Sequence, residues 1–508
     1  MIKGKNKSIE SSNSFFHFLA YPLLCLGILW LGFYIRVHNL EQFPVQADES
    51  TGAYFVAQSF EGNYAYNPHH FHGPTLIYAG NMIARFFGEN SWQSLTQKSL
   101  RLVPIFSSLG ILIILFAHRK ALGTGSILIT TSLIAISPFL VYYNRIFIHE
   151  TLLALFSGTS LAVLYQFHNT INHRKSVLLG IFIGFSVATK ETFVITVFAW
   201  LVVGASLGIG KKFVFSRDYP SLLTFSFVFL GSAGFLSTNL GSEWGNFFDF
   251  ITTYWKYQTT EGHHKPFYYY FTQFALPSIN RGLFWWEGLV FWLSLLTCFT
   301  KKKENLKGYF FFFSGTLQMI IYSLIPYKVP WLMLVPWLHF TIAAGLSLSA
   351  LGKKYRWSLV IIPFIVVLIW HFYQSYRIVS RYHSDTRNPF AYVPSSKTLV
   401  KWENSINRDF LYHMHLFSSE QKSYVIGSDY WPLPWYLRKL TNIVFIESAP
   451  KNIQLNEAPM VIGVGSTGDL LNPIMKQTHG LSFQGLRNGV ALRVFIRKDL
   501  QSEADFTR

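Results

Sequence analysis

Apolar residues fall in long blocks along this chain, and short charged stretches separate the blocks. Such blocks predict membrane helices, because about 20 apolar residues in a helix cross the hydrocarbon layer. Eleven are readable, near residues 15–35, 102–117, 121–142, 151–167, 176–189, 192–210, 219–240, 282–300, 308–325, 329–350 and 357–373. Several are shorter than a perpendicular crossing needs, so their bounds are soft. The first is long enough to span and lacks a clear small-residue cleavage site, which predicts a retained helix rather than a signal peptide. Past residue 374 the pattern changes. Short β-like runs at 423–427, 443–446, 460–464 and 491–496 alternate with loops and helix-like stretches. The expected architecture is an all-α polytopic membrane domain over 1–380, with a long first loop at 37–101, then a small α/β domain over 381–508.

Composition supports a membrane class. Of 508 residues, 50% are hydrophobic, 18% aromatic and 13% charged. A soluble protein carries about 25% charged residues. The net charge of +18 would suit nucleic acid, but the basic residues sit mostly in short loops between apolar blocks. Alternate connections carry Lys3, Lys5 and Lys7, then His118-Arg119-Lys120, then His173-Arg174-Lys175. Lys211-Lys212 with Arg217, Lys301-Lys302-Lys303 with Lys307, and Lys353-Lys354 with Arg356 continue the series. Positive loops stay in the cytoplasm, so the chain is expected in the cytoplasmic (inner) membrane, with no nucleic-acid partner. The opposite connections are then extracytoplasmic, as is the C-terminal domain. Cys25 and Cys298 both lie in apolar blocks and imply no disulfide framework.

The outer face gathers the candidate chemistry. Asp48-Glu49 stands about a dozen residues after Arg36. A carboxylate there can act as general base or bind a divalent cation; a helix start is the alternative, since acids favour a first turn. His69, His70 and His72 occur within four residues but lack the i, i+4 spacing of a prebuilt zinc site. Asp48, Glu49 and His72 are the candidate metal ligands. Arg145 and Glu150 bracket a membrane-proximal loop, and Lys190-Glu191 interrupts an apolar hairpin. Lys265, followed by Tyr268-Tyr269-Tyr270, and Tyr327-Lys328 each set a cation beside prolines and aromatics. Such cations can hold a lipid phosphate, or merely snorkel from an aromatic belt. Glu287 lies near the outer end of a block, close enough to water to be interfacial.

In their order these motifs resemble the GT-C superfamily of membrane glycosyltransferases, in particular the protein O-mannosyltransferase and lipid A aminoarabinose transferase group. The chain looks closer still to the bacterial and archaeal flippase activity-associated family. The matching stretches are Asp48-Glu49, His72-Gly73-Pro74, Tyr143-Asn144-Arg145 through Glu150, Ala188-Thr189-Lys190-Glu191, Lys265 through Tyr270, Tyr327 through Trp331, and Arg387-Asn388-Pro389. The resemblance implies a polyprenyl-phosphate-linked sugar donor and transfer on the outer membrane face to a glycan, lipid or protein acceptor. It implies Asp48 as catalytic base, with Glu49 supporting it or binding metal. It implies a further catalytic carboxylate at Glu150, where the family often has aspartate, and substrate contacts from His72, Arg145, Lys190, Glu191, Lys265, Tyr269, Tyr327 and Lys328. A basic residue often found in the family before that acid is replaced by Ile148. Two other classes stand beside this reading: a lipid-linked-sugar flippase or transporter component, and a non-catalytic assembly factor that docks through its C-terminal domain.

Overall fold

The computed structural model describes residues 6–69, 71–167, 172–209, 219–256, 263–406, 421–440, 442–448 and 454–500. His70, Lys3, Lys5, Lys211, Lys212 and Arg217 therefore lie outside the described residues. The chain is mostly helical, and every apolar block contains a helix. Leu19–Gln42, Gln97–Ala117, Tyr219–Ser237, Pro330–Lys354 and Trp357–Tyr382 are long and apolar enough to cross a membrane. Thr124–Ile136, Phe193–Ser206 and Leu289–Phe299 are shorter apolar helices.

The block read as one span over 121–142 is broken in two. Helix Thr124–Ile136 stops, and helix Pro138–Tyr143 starts afresh. Pro138 has no N–H for the preceding turn, but suits the first position of a new helix. Ser137 caps that helix, its Oγ accepting from Leu140 N at 3.3 Å. The carbonyls left open at the end of the first helix are taken by side chains. Arg36 Nη2 donates to Ile134 O at 3.0 Å and Nη1 to Ala135 O at 2.8 Å. Ser375 Oγ donates to Ile136 O at 2.7 Å.

The chain forms two compact units, and their division differs from a single cut near residue 380. One unit comprises residues 1–38, 65–76 and 101–381; the other comprises 39–64, 77–100 and 382–508. Much of the long first loop thus belongs with the C-terminal residues. It is also helical, containing Ala47–Phe60 and Thr75–Phe86. Specific bonds tie it there: Val45 N donates to Tyr436 Oη at 2.8 Å, and Ser395 Oγ to Val45 O at 2.8 Å. Arg438 Nε reaches Leu95 O at 3.3 Å.

The second unit is built on a five-stranded mixed sheet, in the order Ile443–Ile446, Ser423–Ile426, Met460–Val464, Val490–Arg497, His479–Arg487. The first three strands run parallel, and the last two pair antiparallel. Four of the five match the runs read from sequence. His479–Arg487 was not among them; glycines at 480 and 485 and its alternating exposure mask it. Helix Ser466–Met475 covers one face, packing Leu471 and Met475 with Ile426, Val461 and Phe495.

Candidate functional site

In the second unit, Asp48 and Glu49 occupy the first turn of helix Ala47–Phe60, so the helix-start alternative is structurally correct. The two acids have different environments. Glu49 is buried, and its Oε2 accepts from Gln46 N at 3.2 Å while the Gln46 side chain accepts from Glu49 N. This capping box satisfies two of the donors that a helix start leaves open. Asp48, in the same turn, is exposed. Neighbours in sequence point about 100° apart around a helix, which lets one acid cap and the other face solvent.

The first unit gathers four of the predicted residues. The ammonium of Lys190 is ion-paired with Glu150, both side chains being almost fully buried. His72 Nδ1 lies 3.0 and 3.1 Å from the two carboxylate oxygens of Glu191. Burial alone would raise the Glu191 carboxyl, but the His72 charge, its hydrogen bond and Lys190 bring it down to about 2. Two bonded side-chain pairs thus stand on consecutive residues, 190 and 191.

The segment carrying His72 is pressed onto this turn. A side chain at Gly73 would sit 1.9 Å from the Ala188 carbonyl oxygen, so only glycine allows the approach. Thr75 Oγ1 donates to Thr189 Oγ1 at 2.8 Å. His149, absent from the sequence reading, fastens the other side. Its Nε2 lies 3.0 Å from Gly73 O, and its ring meets His72 edge-on with centroids 5.4 Å apart. The one sequence signal for His149 is its place beside Glu150 at a helix start. Arg145 is buried and donates from Nη2 to His38 O at 2.7 Å.

Lys265, Tyr269, Tyr327 and Lys328 form a second group in that unit. Residues 263–265 and 326–328 pair through Lys328 N to His263 O (3.0 Å) and Lys265 N to Pro326 O (3.3 Å). The Lys328 ammonium donates to Lys265 O at 3.0 Å and Ile325 O at 2.6 Å. Burial pushes this amine below the usual lysine range. Tyr269 rests edge-on against Tyr270, whose hydroxyl donates to Val329 O at 3.0 Å. Tyr322 lies within electrostatic reach of Glu150 and Glu191 and of Tyr270, so both groups share a flank of helix Leu306–Leu324. The lysines differ in kind. Glu150 neutralises Lys190, whereas neutral carbonyls orient Lys328 and leave its charge uncompensated by them.

Two of the candidate metal ligands have protein partners. His72 Nδ1 is committed to Glu191 and Glu49 to the helix cap. Among the described residues, no three His, Cys, Asp or Glu side chains gather as a metal would require.

A family model described as dolichyl-phosphate-mannose-protein mannosyltransferase matches residues 72–235, the stretch containing His72, Arg145, Glu150, Lys190 and Glu191. No curated protein sequence matches the chain. Among solved structures, ArnT from Cupriavidus metallidurans bound to undecaprenyl phosphate is similar, with TM-score 0.63 and 13% identity over 95% of this chain and 99% of that one. An oligosaccharyltransferase from Archaeoglobus fulgidus, tethered to an acceptor peptide, gives TM-score 0.51 and 13% identity over 93% of this chain and 74% of that one. AglB from Archaeoglobus fulgidus, in complex with an inhibitory peptide and a dolichol-phosphate, gives 0.50 and 13% over 92% and 73%. The fold is therefore that of the GT-C membrane glycosyltransferases, as the ordered motifs imply.

Proposed function

We propose that this protein is a glycosyltransferase that moves a sugar from a polyprenyl-phosphate-linked donor to an acceptor hydroxyl at the outer face of the cytoplasmic membrane. The carrying observation is the difference within the acidic pair: Glu49 is buried and closes the helix cap, and Asp48 is an exposed residue of the same turn. The match of residues 72–235 to a mannosyltransferase family model supports the reaction class, and the fold shared with ArnT bound to undecaprenyl phosphate supports the donor class.

In the proposed reaction Asp48 takes the proton of the acceptor hydroxyl. The oxygen attacks the anomeric carbon from the face opposite the phosphate. The bond from that carbon to the phosphate oxygen breaks, polyprenyl phosphate leaves, and the sugar inverts. Charge accumulating on the leaving phosphate is met by Lys328, already aimed by two carbonyls, and by Lys265. Glu150 and Lys190 serve as a structural pair in this scheme, and His72 with Glu191 forms a second pair on the next residue. Tyr269 and Tyr327 supply aromatic surface for prenyl chain or sugar.

Asp48→Asn keeps the size of the side chain and removes the base. In vesicles loaded with labelled lipid-linked sugar it is expected to abolish transfer, by 100-fold or more, while membrane insertion and thermal unfolding stay unchanged. Full transfer by this variant would refute the assignment. Labelled lipid reaching the opposite leaflet without a glycosidic product would instead favour the transporter reading.

A further inference from the structure

Glu287 takes no part in the chemistry above. From sequence it reads as an interfacial acid; in the structure it lies just ahead of helix Leu289–Leu295 and is buried. Its Oε1 accepts from Ser137 Oγ at 2.5 Å and from Trp337 Nε1 at 2.7 Å, and the carboxyl also takes a backbone hydrogen bond from Phe139. None of these partners is a cation. Its Oε2 is buried with no hydrogen-bond partner among the described residues. His371 is fully buried as well, and neither ring nitrogen has a partner among those residues. A neutral imidazole offers one donor and one acceptor, so both capacities are unmet.

Register sets His371 one turn from the residues that bond the chain neighbours of Glu287 and Ser137. Gln374 and Ser375 follow His371 by three and four residues on helix Trp357–Arg377, hence on the same face one turn later. Gln374 clamps Trp286, the residue before Glu287: its Oε1 accepts from Trp286 N at 2.7 Å and its Nε2 donates to Trp286 O at 3.2 Å. Ser375 holds the carbonyl of Ile136, the residue before Ser137. His371 is thus one helical turn, about 5.4 Å along the axis, from the contacts that hold Glu287 and its serine partner. The arginines on flanking elements are directed elsewhere. Arg36 donates to the carbonyls of Ile134 and Ala135; Arg377 donates to Phe284 O at 3.1 Å and stacks on Trp285.

Buried polar atoms without a protein partner are commonly satisfied by internal water, which needs two to four polar neighbours. The Glu287 oxygen and the imidazole nitrogens supply them. A carboxyl buried beside no cation retains its proton rather than its charge. We propose that the membrane unit contains a hydrated proton site at the helix break, in which internal water links the protonated Glu287 carboxyl to His371. The site fastens Ser137, and so the start of helix Pro138–Tyr143, which leads on to Arg145 and Glu150. It stands whether or not the chain transfers sugar.

Infrared spectroscopy of the full chain in lipid nanodiscs tests this. Near neutral pH a protonated-carboxyl band is expected that disappears in Glu287→Gln and is displaced in His371→Phe. The absence of any Glu287-dependent band overturns the site, as does a band indifferent to His371→Phe. A high-resolution structure of the unsubstituted protein gives a second arm that needs no variant to fold. Density for water within hydrogen-bond reach of Oε2 supports the site; a dry gap between Glu287 and His371 overturns it.

Discussion

At the scale of single residues, the charges of the first unit are worth more as pairs than as candidates. Lys190 and Glu150 are separated by 40 positions in the chain, so nothing in the sequence joins them. Burying either alone would be costly, and burying both in contact offsets most of that cost. Glu191 and His72 make the testable case. A carboxylate whose value on folding drops from about 4.3 to lower ones stabilises the fold above that pH, and the gain is lost as pH falls through the folded value. For Glu191 the folded value is about 2. Glu191→Gln is therefore expected to lower stability at pH 7 by roughly 1–3 kcal/mol, with the gap to the unsubstituted protein closing as pH falls below about 4. Thermal unfolding in detergent at several pH values reads this out. A gap of the same size at pH 3 would remove the ion pair as its cause.

At the scale of elements, the helices of the membrane unit were legible because apolar composition and length suffice to mark them. Their interruptions were harder to see. Ser137-Pro138 carries a known stop signal, yet the apolar run continues through it to Tyr143, and the run dominated the reading. Helices Ala47–Phe60 and Thr75–Phe86 were less legible for the opposite reason: each is shorter than a membrane span, so the stretch reads as loop apart from the helix start offered at Asp48-Glu49. The contact of Gly73 with the 188–189 turn was unreadable in kind, since it depends on backbone approach across more than a hundred residues. It can be tested directly. Gly73→Ala puts a methyl group where the Ala188 carbonyl oxygen lies, so the two segments must part. The expected cost is about 1–3 kcal/mol of stability, with loss of the His149 to Gly73 bond. Thermal unfolding beside transfer activity measures both. An unchanged midpoint would show that the segments yield without penalty.

For the molecule as a whole, membrane class and the presence of an α/β region followed from composition and pattern, whereas the division into units did not. A linear reading cuts once, near 380; the structure assembles its second unit from three separate stretches. The acidic pair shows what this changes. Read as a loop feature of the membrane domain, Asp48 belongs instead to the unit held together by Tyr436, Ser395 and Arg438. A chain ending at residue 381 is expected to insert its membrane helices and yet leave 39–64 and 77–100 open to protease, with transfer lost. Limited proteolysis of that truncation in membranes decides the matter; protection of 47–60 equal to that in the full chain would contradict it.

That assembly also sets a timetable. Ribosomes add about 5–20 residues per second. The helix bearing Asp48 leaves the ribosome early, but Tyr436, which accepts the hydrogen of Val45 N, is synthesised some 390 residues later. Roughly 20 seconds to more than a minute therefore separates the making of that helix from its completion. During that interval the helix start exists without the hydroxyl that receives the Val45 N–H, so the carboxylate proposed as base is made long before its surroundings are complete.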